Sequence, residues 1–157
     1  AFENCSSLDS VAINGFIEDI ASDLFRHCHN LRSINIPNTV RKIGSKAFQE
    51  CTALSAISLP VALTSIGDDA FAKCNSLTSV KVPVAVKEIG SSAFEECVML
   101  STVELSSALK KIGGSAFAKC PSLQVVKCKS PAAPEISGST FKNSPCIIFV
   151  PKGCSTI

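Results

Sequence analysis

The residues in this sequence best equipped for chemistry are its nine cysteines and its two histidines. Thiolates and imidazoles bind zinc where four ligands converge tetrahedrally, and a thiolate beside a second sulfur can form or exchange a disulfide. His27-Cys28-His29 sets three such groups side by side, and Cys146 and Cys154 lie near each other toward the C-terminus. Cys5, Cys28, Cys51, Cys74, Cys97 and Cys120 are instead spaced by 23 residues every time. A column of equally spaced thiols offers neighbours in one line, not a tetrahedron. Disulfides between adjacent members are reachable, because bridged Cα atoms stand about 4.4–6.8 Å apart.

The interval itself decides between these chemistries. Phe2, Phe25, Phe48, Phe71, Phe94 and Phe117 keep the same 23-residue spacing three residues ahead of each Cys. Leu8, Leu31, Leu54, Leu77, Leu100 and Leu123 keep it three residues behind. A fixed period of roughly 20–29 residues means a solenoid, whose units cannot bury an apolar face alone and must stack. Six full copies occupy residues 1–139, starting at Ala1, Leu24, Ala47, Ala70, Ala93 and Ala116, and an atypical capping copy covers 140–157. No linker or low-complexity stretch separates them, so the expectation is one domain over 1–157.

Each recurring position has a physical reading. In Ser55-Ala56-Ile57-Ser58-Leu59 the apolar residues alternate with small or polar ones, as in a half-buried strand. Pro37, Pro60 and Pro83 then end the strand, having no N–H to give a neighbouring coil. Val86 and Ile89 form a second short apolar segment, followed by Gly90, which suits a positive φ or a tight backbone approach. Ala93, Phe94 and Cys97 would share one face of a short helical turn. Stacked at the strand spacing of ~4.8 Å, six intervals make a body roughly 30 Å long.

In that frame the core ladder is Phe25, Phe48, Phe71, Phe94 and Phe117 with Cys28, Cys51, Cys74, Cys97 and Cys120. The thiols are then buried small hydrophobes, and Cys128 joins them at an inward strand position. Cys28 points inward while positions 27 and 29 vary among polar residues, so the three side chains of the His-Cys-His run diverge and no metal site is expected. Cys146 and Cys154 break the period and are the pair placed to react.

Composition closes off other classes. With 46% hydrophobic and 18% charged residues the chain is too apolar for disorder. Its apolar runs fall far short of the ~20 residues that cross a bilayer, and a net charge of +2 gives nucleic acid little to hold. There is no nucleophile elbow, phosphate loop or carboxylate pair, and both histidines lie in one turn. No catalytic residue, cofactor or enzymatic activity is expected. The outward strand positions are Ser or Ala early on and become Lys81, Thr102, Glu104, Val125 and Lys127 in the later copies. These five are the candidate partner-binding residues. Arg41-Lys42, Lys87 and Lys110-Lys111 form a basic ridge on the next edge.

The unit, L-x-x-I-x-[IL]-P followed by I-G-x-x-A-F-x-x-C, resembles the BspA-like, treponemal-class leucine-rich repeat. The likeness extends over essentially the whole chain. It departs from the commonest leucine-rich repeat in placing the Cys before the strand. Phe149-Val150-Pro151-Lys152-Gly153 is similar to the closing segment of such surface proteins. The resemblance implies an α/β repeat solenoid: a right-handed superhelix with one sheet of short parallel strands on the concave side and short helical turns on the other. It implies an extracellular or cell-surface module, without cofactor, that binds host or matrix proteins through the concave strand face. The alternative is a structural spacer or stalk in a larger surface protein. A glycan-binding module is a weaker third reading, since no Trp or Tyr is present to stack on sugar. The start at Ala1, mid-pattern and with no signal peptide, suggests a piece of a longer chain.

Overall fold

The chain extends at short segments whose middle residue turns inward, and these pair in parallel from one copy to the next. The computed structural model describes residues 1–152 and contains two such ladders. The first holds β1 (Ser10–Ala12), β3 (Ser33–Asn35), β6 (Ser79–Lys81), β8 (Thr102–Leu105), β10 (Val125–Cys128) and β11 (Ile147–Phe149). Val11 faces Ile34, Val80 faces Val103, and Val103 faces Val126, so the apolar middle residues share one inward side. The second ladder holds β2 (Asp19–Ile20), β4 (Lys42–Ile43), β5 (Ser65–Ile66), β7 (Glu88–Ile89) and β9 (Lys111–Ile112), again parallel and stepping by 23 residues. A lone bridge from Glu135 to Lys111 extends it by one coil.

The architecture is therefore a parallel-strand solenoid of about six turns, but it differs from the sequence-based expectation in two ways. There is not one sheet. The second apolar segment of each copy makes a sheet of its own, and the first ladder is split in two. Strands β1 and β3 pair with each other, β6, β8, β10 and β11 form a separate set, and coil three contributes no strand between them. From Ala56 to Leu59 that coil exchanges no ladder bond with either neighbour; only the Ser55 carbonyl reaches across, to the Thr78 N–H at 3.3 Å. Ile57 and Leu59 are correspondingly half-buried where Ile34, Val80 and Val82 are buried. Nothing in the sequence of coil three explains the interruption.

The second difference is the turn carrying Ala, Phe and Cys, which is not helical; no helix occurs among the described residues. Its backbone donors are spent between coils. The N–H of Asp69, Phe71 and Lys73 goes to the carbonyl of Ser91, Ala93 and Glu95, at 2.9, 2.7 and 2.8 Å. Only every second N–H closes a turn within the coil, as Cys74 does onto Phe71 at 3.2 Å. A helix would need consecutive i→i−4 bonds. The left-handed residues that flank each Phe, such as Asp69 (φ 54) and Lys73 (φ 60), break any such run.

Gly44, Gly67, Gly90 and Gly113 resolve the choice between a positive φ and a close approach. None has a positive φ. A Cβ on Gly67 would instead stand 2.6 Å from the Ser45 nitrogen of the coil below. The coils touch there through bare backbone.

The interior is a set of columns. Phenylalanine rings from Phe2 to Phe141 stack nearly parallel, at centroid separations from 5.1 Å (Phe48–Phe71) to 5.6 Å (Phe2–Phe25). Each buried ring contributes about 1.5–3 kcal/mol from area alone. Beside them runs the thiol column, buried from Cys28 to Cys120, with Cys128 buried in β10. No helix of the described residues is long and apolar enough to cross a membrane.

Candidate functional site

The thiols are more than filler. Cys28, Cys51, Cys74, Cys97 and Cys120 each donate Sγ–H to the carbonyl of the Phe one coil back, at 3.0–3.2 Å. In the last coil Ser144 takes the Cys position, and its hydroxyl makes the same bond to Phe117 at 2.6 Å while accepting the Cys120 N–H at 2.9 Å. Burial pushes the Cys51 thiol up to about 12 and Cys120 to about 11, and raises Cys74 and Cys97 as well. Thiolates are the reactive form, so this column is chemically quiet. The described cysteines are all free. Cys146 is half-buried, and Cys154 lies outside the described residues.

The His-Cys-His run behaves differently from the expectation of three diverging side chains. Cys28 does turn inward, but His27 and His29 lie on the same side, with rings stacked 5.9 Å apart. His27 is left-handed (φ 59), which swings its ring alongside that of its second neighbour. His27 Nδ1 meets Asn4 Oδ1 at 2.9 Å, and His29 Nδ1 donates to the Glu50 carbonyl at 3.0 Å. Glu50 itself pairs with Lys73 at 3.1 Å, and that bond chiefly holds its carboxyl below the usual range. Among the described residues no cluster of three or more ligating side chains is arranged to hold a metal.

The strand face brings the five candidate residues together. Lys81, Glu104 and Lys127 occupy matching positions on β6, β8 and β10 and so form one row across the sheet. Thr102 and Val125 form a second row beside it, starting from Ser79. The rows continue onto β11, where Ile147 pairs with Val125 and Phe149 with Lys127. Both are exposed, at 65% and 55%. The sequence alone does not mark these two, because the copy carrying them lacks the Cys and the 23-residue spacing. Glu104 bonds Lys129 at 2.9 Å, which with the charges of Lys129, Lys127 and Lys81 holds its carboxyl below the usual range.

The basic ridge stands apart from these rows, along the second ladder. There Lys42, Ser65, Glu88 and Lys111 are successive neighbours, so an acid divides its positive charges.

Comparison with known proteins adds the following. The family described as "BspA type Leucine rich repeat region" matches in six copies, over residues 1–97 and 41–157. No curated protein matches the sequence significantly. The solved leucine-rich repeat protein of T. pallidum (TpLRR) is 35% identical, with a TM-score of 0.79, over 82% of this chain and 62% of that one. A leucine-rich repeat protein from Bacteroides ovatus is 30% identical, with a TM-score of 0.80, over 90% of this chain and 37% of that one. The pneumococcal vaccine antigen PcpA shares the fold, at 22% identity and a TM-score of 0.71, over 93% of this chain and 41% of that one. The chain thus spans less than two thirds of each of these solved proteins.

Proposed function

The chain belongs to the BspA-type leucine-rich repeat family, and on that premise we propose that it is a non-enzymatic protein-interaction module of an extracellular or cell-surface protein. Members of this family are commonly protein-interaction or surface proteins. In this reading, residues 1–157 act as one unit that binds a partner protein, such as a host or matrix protein, through the concave strand face. The observation that carries it is the pair of rows on β6, β8, β10 and β11. Lys81, Glu104 and Lys127 lie beside Thr102 and Val125, and the exposed Ile147 and Phe149 extend both rows. Interfaces join an apolar, aromatic-bearing centre to a polar rim, and this face holds both within four strands.

The test is a binding screen of the chain against extracellular-matrix proteins. Any hit is repeated with Lys81, Glu104 and Lys127 changed together to Ser. These outward positions should cost only about 0.5 kcal/mol each in stability. Binding should fall at least tenfold. A hit that ignores the triple change would place the interface elsewhere, and no hit at tens of micromolar would favour a spacer within a larger surface protein.

A further inference from the structure

The repeat departs from its own pattern most sharply in coils five and six, at one corner of the strand face. Where coils three and four carry Pro60-Val61 and Pro83-Val84, coil five carries Ser106-Ser107. Ser106 turns inward and is 2% exposed, its hydroxyl donating to the Val86 carbonyl at 2.6 Å and accepting the Ala108 N–H at 3.2 Å. Ser107 then stands where a valine would, and the corner is left short of side chain. One coil on, Lys129 replaces the proline and rises over the gap to meet Glu104 at 2.9 Å. The result is a groove of about 310 Å³. Leu59, Val82 and Leu105 lie along it, and Val61 and Val84 line it while 67% and 71% exposed.

Its charges are unequal. Lys129 neutralises Glu104, whereas Lys81, on the same groove, closes no ion pair among the described residues. The groove's own lining carries two lysines to one glutamate, so Lys81 is its surplus charge. A volume near the bottom of the ~300–1,000 Å³ range of ligand sites suits one or two side chains and not a cofactor. Two exposed valines would gain by being covered, and the surplus charge selects what covers them.

We infer that this groove receives an aliphatic side chain next to a carboxylate, presented by an extended segment of a protein partner. The aliphatic group lies against Val61, Val84 and Leu105, and the carboxylate pairs with Lys81. This deepens the reading of the strand face as a protein-binding surface and rests on it. The groove adjoins the end of the Lys81–Glu104–Lys127 row, so a segment crossing that row can drop its anchor at the corner.

The experiment selects a displayed library of short random peptides on the immobilised chain. The enriched peptides are then measured, fluorescein-labelled, against three further proteins. Ser107→Phe fills the groove from an exposed position. Lys81→Glu reverses its charge. Val125→Ser with Lys127→Ser alters the strand rows away from it. Enriched peptides should share Asp or Glu beside Leu, Ile or Val. Each of the first two variants should weaken them about tenfold or more, as should Asp→Asn or Glu→Gln in the peptide. Peptides that bind Ser107→Phe and Lys81→Glu as well as the parent, yet weaken on the row variant, overturn the groove and leave the strand face standing. Basic or uncharged consensus sequences overturn the groove as well. An unenriched library, or peptides indifferent to all three variants, overturns both readings.

Discussion

Cys74 donates its Sγ–H to the carbonyl of Phe48, twenty-six residues earlier and one coil back, at 3.2 Å. The same carbonyl already accepts the Cys51 N–H at 3.1 Å, so both its lone pairs are in use inside the core. The Cys column is thus a line of donors as well as a line of small apolar groups. Cys74→Ala should cost about 0.5–1.5 kcal/mol for the lost hydrogen bond, together with a small cavity. Cys74→Ser keeps a donor, as Ser144 does against Phe117, and should lose less than Cys74→Ala. Urea unfolding of the three proteins decides it, and equal losses would reduce the thiol to filler.

The same burial makes stability sensitive to alkali. An unfolded thiol titrates near ~8.5, whereas burial raises the folded values of Cys51, Cys74, Cys97 and Cys120. Well below pH 8.5 both states keep the proton and these groups are silent. Above it the unfolded chain releases protons that the fold retains, so stability falls by roughly 1.4 kcal/mol per pH unit for each thiol. The window runs from about 8.5 through the folded values, about 11 for Cys120 and about 12 for Cys51. Unfolding midpoints in reductant should be level from pH 7 to 8 and drop steeply by pH 10. A level profile through pH 10 would contradict the buried thiol column.

Stacked rings should not contribute equally. Phe71 is fully buried between Phe48 and Phe94, and Phe71→Ala should cost about 3–5 kcal/mol through lost burial and a cavity. Phe2 is 48% exposed and stacks on one side only, on Phe25. Phe2→Ala should cost well under half as much. Matching losses in the two variants would argue against a one-dimensional stack.

Glycine and left-handed backbone occur at different positions here, which sets up a paired test. Gly67 needs its missing Cβ for contact with Ser45, so Gly67→Ala should destabilise by about 1–3 kcal/mol through overpacking. Ser92 adopts φ 53 with a Cβ in place, a conformation that costs an L residue about 1–2 kcal/mol. Ser92→Gly should therefore be neutral or stabilise by up to about 1 kcal/mol, while Ser92→Val should destabilise. Thermal melts of the three variants give the order directly.

How much could be read from the residues varies by position. The coil height and inward columns follow from the 23-residue step of Phe, Leu and Cys, because ladders of like residues are what stacking requires. The second sheet did not, since strands of two residues such as Lys42–Ile43 have no room to display a period. The turn reads as helical in the sequence because Ala93, Phe94 and Cys97 have helical spacing. The left-handed residues that forbid a helix are Lys, Glu, Asp and Ser at most copies, with Asn only at Asn4 and Asn143, so the usual glycine mark is missing. Ile147 and Phe149 were hidden by the 22-residue step between β10 and β11. The groove did leave a sign in Ser106-Ser107, where two small polar residues displace the Pro-Val pair. A repeat makes such breaks visible, and they are where a surface can differ from its neighbours.

The missing rung in coil three has a mechanical consequence. One flank of the solenoid is stitched without a break from β2 to β9, while the opposite flank is slit between β3 and β6. A rod sewn along one side and cut on the other bends about the stitched side, and the slit widens or shuts as it does. Ala56 to Leu59 lie in that slit, and Leu59 also lines the groove. Bending that opens or shuts the slit would therefore move one wall of the groove.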